Sequence, residues 1–360
     1  MQDRRNFLKA LGGVTAGMYL AGPAFAQGRK EVMVGDRRIR VVDIHYHAHI
    51  PAVMDVIRGT EFERNIGGSR NLGPERIPIM DARGIDVGVI SANQYWWYGA
   101  DRRLARDVVR VQDEGFAEWC QMHPDRYVFL TSVALQYPDL AAEQLEYAVT
   151  RLGARGASIG GHVDGQEPST EFFDEFWAKA QELDVPVFMH PGGAENVALE
   201  DGFDGRGDLG NIIGNPLETA QFLAHMIYDG TFDRFPRLKV VGAHGGGFFP
   251  SYLGRFEAAC DVRNNADCLN QLKPSEYLWK NIWVDSMVFS ENGIRHLVAE
   301  MGASQVVYGS DIPFNWPDTI DLIVNSPSLN DAEKAAILGG NLIDMLGLDW
   351  SVDGANEYDY

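Results

Sequence analysis

His45-Tyr46-His47 closes the apolar run Val41-Val42-Asp43-Ile44 and is the sharpest chemical feature of the sequence. In an extended strand, residues i and i+2 point to the same face. Two imidazoles then project together, with the reach to share one metal ion. A lone His-x-His also arises by chance on loops, so the other polar residues decide its meaning. His190 ends the run Val185-Pro186-Val187-Phe188-Met189. His244 follows Leu238-Lys239-Val240-Val241-Gly242-Ala243, and Asp311 follows Val306-Val307-Tyr308-Gly309-Ser310. Hydrogen-bonded core histidines, the ordinary alternative, would have no reason to collect at the ends of such runs.

His45, His47, His190 and Asp311 therefore make a candidate site for one divalent ion. Imidazole and carboxylate donors suit Zn²⁺ first, with Mn²⁺, Fe²⁺ and Co²⁺ as alternatives. An ion of this kind lowers the pKa of a bound water from about 15.7 toward 7. His244 precedes Gly245-Gly246-Gly247, and a glycine run lets backbone and substrate approach closely. It reads as a general acid/base beside the ion rather than as a fifth ligand. The run Ser158-Ile159-Gly160-Gly161-His162 carries no lysine that could bridge a second ion, which disfavours a binuclear site.

These residues need elements that bring them to one place. Eight short apolar runs alternate with helical patterns, the signature of a parallel sheet with crossover helices. The runs begin at Val41, Val87, Val128, Gly156, Val185, Leu238, Ile282 and Val306. Eight such units predict a (β/α)₈ barrel, with chemistry at the C-terminal ends of its strands. A doubly wound open sheet is the alternative, but no Gly-rich dinucleotide fingerprint follows the first strand. Helices are predicted over Asp139–Leu152, Glu171–Leu183, Pro216–Tyr228, Ser290–Met301 and Asp331–Leu346. Val32–Arg40 reads as a hairpin arm, and Pro51–Pro78 as a long loop over the barrel mouth.

Other residues divide between functional and structural readings. Arg255 is a carboxylate-binding or surface residue. His162 lines the pocket or serves structure. Asp43 is a partner for the metal pair or simply a polar residue opening the strand, and Asp285 lies on the seventh strand. Tyr95-Trp96-Trp97-Tyr98 could wall a pocket for a flat substrate, although ordinary packing explains such a cluster as well. His49, His123, His225 and His296 fall off the rim.

The N-terminus reads as an address. Arg4-Arg5-Asn6-Phe7-Leu8-Lys9 has the twin-arginine pattern, a Gly-rich apolar run reaches Ala21, and Ala24-Phe25-Ala26 is a cleavage site before Gln27. Residues 1–26 are thus an expected signal for the twin-arginine export machinery, and 27–360 a single catalytic domain of the periplasm or cell exterior. The apolar run is shorter than the roughly 20 residues of a membrane span. The formal net charge of −20 argues against nucleic acid and anionic membranes as partners. An anionic substrate must then be recruited by local arginines. The three cysteines form no Cys-x-x-Cys; Cys260 and Cys268 are expected as free thiols, with pairing as the alternative.

The motifs DIHYHAH, RIPIMDARGIDVGVIS, HPDRY, ASIGGHV, VFMHPGG, FDRFPRLKVVGAHGGGFFPSYLGR, VYGSDIPF and GGNLIDMLGL resemble the amidohydrolase superfamily. The branch they resemble most is that of aminocarboxymuconate-semialdehyde decarboxylase, over Val42 to Leu348. The resemblance implies metal ligands at His45, His47, His190 and Asp311, and a catalytic histidine at His244. It implies a substrate-carboxylate arginine at Arg255, delivered across a homodimer interface. Two departures accompany it. His190-Pro191 is followed by Gly192-Gly193, where the decarboxylase has a tryptophan. The stretch before Arg76 is shorter, which leaves Arg58, Arg64 and Arg70 as candidates for a second substrate arginine. The export signal also differs from the intracellular setting of the namesake, so a different substrate is expected.

Two chemistries fit this site. The favoured one is non-oxidative decarboxylation of an unsaturated or aromatic carboxylic acid, with His244 as acid/base beside a metal-bound water. The alternative is hydrolysis of a lactone, amide or ester, with His244 stabilising the oxyanion and Asp311 passing the proton. A metal- or solute-binding protein without catalysis is a third reading, which the complete His/His/His/Asp set with His244 disfavours.

Overall fold

The computed structural model describes residues 28–63, 70–93, 96–192 and 202–348. The expected signal at 1–26 lies outside them. β1 (Val32–Val34) and β2 (Arg37–Ile39) pair antiparallel, as the expected hairpin arm. Eight parallel strands follow: β3 (Val42–His47), β4 (Val87–Ser91), β5 (Tyr127–Phe129), β6 (Ala157–Ile159), β7 (Pro186–Met189), β8 (Lys239–Gly242), β9 (Ile282–Asp285) and β10 (Val306–Val307). They pair in the orders β3-β4-β5 and β6-β7-β8-β9-β10. Thr131 bridges to Ala157 and Tyr46 to Ile312, which closes the two sheets into one barrel. This is the expected (β/α)₈ architecture.

Alternation along the strands separates two cores. Val42, Ile44, Val87, Val89, Phe188, Val241 and Val307 fill the barrel, with Leu342 and Leu346 of the closing helix seated among them. Val187, Met189, Val240 and Val284 face outward, into the layer formed with Phe116, Trp177, Phe222 and Leu223 of the helices. β3 breaks this alternation. Its register against β4 shifts between Asp43 and Tyr46. Ile44 and the adjacent His45 then both serve the interior, while Tyr46 packs outward against Tyr127. Bulges re-aim side chains in this way near active sites.

The helices match the periodicity with local changes. Pro138–Tyr147 continues into a wider turn over Ala148–Leu152. A tight turn at Glu171–Phe173 leads into Asp174–Glu182. Asn215–Tyr228 places Pro216 in its first turn, where the missing N–H costs nothing. Ser290 caps Glu291–Met301 by accepting from Gly293 N. Asp331 to Leu346 is helical throughout, with a wider turn at Ala336–Gly340.

Three expectations need correction. The longest helix, Arg102–Met122, is absent from the predicted set; Asp101 starts it by accepting from Arg103 N and Leu104 N. The stretch from Pro51 to Pro78 is not all loop. It holds a short helix at Val53–Ile57, and the helix Arg76–Arg83 begins within it. Arg76 hides that start from a hydropathy reading, because it is buried with its guanidinium 5.4 Å above the Tyr46 ring. Finally, Cys260 and Cys268 form a disulfide, and only Cys120 is free. After Leu253–Val262 the chain doubles back until Leu269 N bonds Tyr228 O, which brings the two thiols within reach. Among the described residues no helix is long and apolar enough to cross a membrane.

Candidate metal centre

The four expected ligands meet at the C-terminal mouth of the barrel. One donor atom from each of His45, His47, His190 and Asp311 lies within 4.8 Å of all the others, and all four residues are buried. His45 Nε2 and His47 Nε2 stand 3.1 and 2.8 Å from Asp311 Oδ1. Yet none of these three atoms makes a well-directed hydrogen bond. Buried donors and acceptors left without hydrogen bonds are rare in folded proteins. Their convergence fits a divalent cation that accepts all of them as ligands.

Two of the three imidazoles are oriented from the far side. His190 Nδ1 bonds Pro191 O at 2.8 Å, which leaves Nε2 for the ion. His45 Nδ1 bonds Asp285 Oδ2 at 2.7 Å, with the same result. Such outer partners fix the tautomer and raise the basicity of a ligand. Asp43 ties β3 to the segment after β10, since its Oδ1 accepts both His45 N and Ser310 N at 3.0 Å. Asp43 is therefore a buried clamp and not merely a residue opening the strand.

The electrostatics favour positive charge among the ligands. Burial alone would lower the His45 imidazole, but the carboxylates of Asp311 and Asp285 overcome it and raise it to about 10. Burial opposes the Asp311 charge as well, yet His45 and His47 hold its carboxyl well below the usual range. A proton held this firmly between carboxylates stands where a metal ion would bind. His190 is pushed well down, by burial and then by His47 and His45. Burial, reinforced by His45, also pushes the His244 imidazole down to about 4.

His244 stands beside the cluster, its ring 5.2 Å from that of His45 and 5.4 Å from that of His190. It has a φ of 55°, and Gly245, Gly246 and Gly247 continue with positive φ. The glycine run thus serves a left-handed turn that aims His244 back over the barrel. Asp311 also has a positive φ, 60°. Unusual backbone at both residues is common where function overrides local preference.

Aromatic rings flank the ligands. Phe314 meets the His47 ring edge-on at 5.0 Å, and Trp96 lies 6.4 Å from His190 with Tyr98 stacked behind it. Trp97 packs into the outer core instead, and Tyr95 lies outside the described residues. Arg70 places its guanidinium 5.2 Å above the Phe314 ring. After burial, the main cause, its charge helps to lower the His49 imidazole to about 3. Arg58 is exposed and pairs with Asp55, away from the cluster; Arg64 lies outside the described residues. His162 is half-buried, and its Nδ1 accepts from Gly165 N at 3.1 Å. Arg255 is exposed on the helix Leu253–Val262. The sequence reading missed Phe314, whose only signal was its place three residues after Asp311, and it gave Asp285 a place without a role.

The sequence profile of the Amidohydrolase family matches residues 43–348. The chain belongs to that family. It is 31% identical over 314 residues to 2-amino-3-carboxymuconate-6-semialdehyde decarboxylase from Dictyostelium discoideum, covering 86% of this chain and 85% of that protein. It is 29% identical over 290 residues to gamma-resorcylate decarboxylase from Rhizobium sp. (strain MTP-10005), covering 76% and 86%. Among solved structures, the fold is similar to that of 5-carboxyvanillate decarboxylase from Novosphingobium aromaticivorans, complexed with manganese and a nitrobenzoic acid. The TM-score is 0.76 at 24% identity, over 90% of this chain and 100% of that one.

Proposed function

We propose that the protein is a metal-dependent, non-oxidative decarboxylase of an unsaturated or aromatic carboxylic acid. The observation that carries this reading is the four-ligand cluster set between the Phe314 and Trp96 rings, with Arg70 at its edge. Aromatic rings beside the ligands suit a flat conjugated acid, and the Arg70 guanidinium over Phe314 suits its carboxylate or another anionic substituent. A divalent ion on His45, His47, His190 and Asp311 supplies Lewis acidity to the substrate oxygens. Zn²⁺ and Mn²⁺ both suit this donor set. The C–C bond to the carboxylate breaks, its electron pair stays on the conjugated carbon, and CO₂ leaves. Burial keeps His244 neutral at rest, so it first accepts a proton from a substrate hydroxyl or from solvent. It then returns that proton to the carbon.

The same reading extends to assembly and location. Arg255 is exposed and makes no ion pair among the described residues, as suits a residue offered to a second copy of the chain in a homodimer. The twin-arginine segment and the Cys260–Cys268 disulfide both favour an oxidising compartment, the periplasm or cell exterior.

The test is product analysis with metal-analysed protein on a panel of aromatic and muconate-type acids, lactones and amides. The expected result is CO₂ release that falls by about 10²–10⁴-fold in His244→Ala while metal content is kept. Acid release without CO₂ would refute the decarboxylase reading and move the protein to the hydrolases.

A further inference from the structure

Asp285 is the last residue of β9 and is fully buried, and three of its four side-chain hydrogen bonds reach the site. Its Oδ2 accepts His45 Nδ1 at 2.7 Å and His244 N at 3.0 Å. Its Oδ1 accepts Gly245 N at 2.8 Å and Met287 N at 3.2 Å. One carboxylate thus holds both a metal-ligand imidazole and the backbone of the turn that aims His244. Successive N–H groups in a left-handed turn form a concavity for an anion, and here that anion is a side chain of the barrel itself.

The segment after β10 is shaped around this contact. A Cβ on Gly309 would stand 2.9 Å from both Asp285 Cβ and His45 Cβ. Only glycine at this position lets the two residues close on each other.

We propose that Asp285 is a positioning residue that couples His45, as a metal ligand, to the placement of His244. The proposal rests on the reading of the site as a metal-dependent catalytic centre. Asparagine has the same shape but cannot replace it. Whichever way the amide is turned, its NH₂ faces donors: either His45 Nδ1–H and His244 N–H, or Gly245 N–H and Met287 N–H. In the first orientation His45 relieves the clash by moving its proton to Nε2, which removes the lone pair that faces the ion.

The experiment compares the purified parent with Asp285→Asn, titrating Mn²⁺ against a chromophoric chelator and then measuring turnover at saturating Mn²⁺. The dissociation constant is expected to rise by about 10–100-fold, the usual effect of losing an outer partner of a ligand. At saturating Mn²⁺, kcat is expected to stay at least tenfold low with KM little changed, because His244 remains displaced. Val306→Ala, a cavity in the neighbouring β10, controls for general loosening and should lower Tm while leaving the Mn²⁺ affinity alone. If Asp285→Asn does not fold, Gly309→Ala perturbs the same contact from the segment after β10 and should weaken Mn²⁺ binding in the same direction. An affinity within twofold of the parent overturns the proposal, as does full recovery of kcat at saturating Mn²⁺ or an equal loss in Val306→Ala. The Mn²⁺ titration does not depend on which acid is turned over, so its failure is distinct from failure of the decarboxylase reading.

Discussion

Asp113 offers a sharp test of the barrel's energetics, away from the metal. It lies on the helix Arg102–Met122, and its Oδ2 accepts the Thr131 hydroxyl at 2.6 Å. Thr131 bridges to Ala157 at the seam between β5 and β6, so this bond fastens the helix to the place where the two sheets join. Burial outweighs the hydrogen bond and pushes the Asp113 carboxyl from 3.8 up to about 8. That difference corresponds to about 5 kcal/mol between the two protonation states. In the unfolded chain Asp113 ionises near its ordinary value, whereas the folded protein holds the proton until about pH 8. Unfolding therefore releases a proton between these limits. Stability falls as pH rises from about 4 to about 8 and levels off above that.

Asp113→Asn keeps the shape and an acceptor for Thr131, and cannot ionise. Relaxation and water entry blunt the full penalty, so the variant should be more stable than the parent by about 2–5 kcal/mol at pH 8.5, with the gap closing toward pH 4. Urea unfolding followed by tryptophan fluorescence at pH 4.5, 6.5 and 8.5 measures it. Parallel pH profiles for the two proteins would show that the buried carboxyl carries no such penalty.

Three further outcomes are expected. Arg70→Ala should lower kcat/KM by about 10–150-fold, the value of a charge-assisted contact of about 1.5–3 kcal/mol; Arg58→Ala, whose partner is the exposed Asp55, should stay within about twofold. Equal effects in steady-state kinetics would break the assignment of Arg70. Chelation should abolish turnover, and restoring Mn²⁺ or Zn²⁺ to a hundredfold excess over its dissociation constant should stabilise the fold by about 3 kcal/mol. A Tm indifferent to added metal counts against the cluster. Removing the Cys260–Cys268 link, which spans a separation of 8 residues, should lower the unfolding free energy by about 2 kcal/mol, as read from urea denaturation. A Cys260→Ser variant as stable as the oxidised parent would show that the link is idle.

The sequence by itself determined the frame. Eight apolar runs with crossover helices favoured a closed parallel barrel over an open sheet, and the candidate ligands fell at the ends of those runs. Position at a strand end is a local property, so His45, His47, His190, Asp311 and His244 were legible without coordinates. The hairpin arm and five helices were legible for the same reason, because periodicity is local too.

What remained depends on contacts between residues distant in sequence. The shift in β3 that turns Ile44 and His45 both inward is visible only in its pairing with β4. Asp285 reaches His45 across 240 residues, and Asp43 reaches Ser310 across 267. Arg58 and Arg70 are equivalent in a linear reading; only the folded chain sets one beside Phe314 and the other beside Asp55. Cys260 and Cys268 pair because the chain doubles back after its helix. Composition and spacing fix which residue types are available and which face of an element they occupy. Which of them meet, and with what charge, is decided when the barrel closes, because only then do burial and long-range neighbours act on each group.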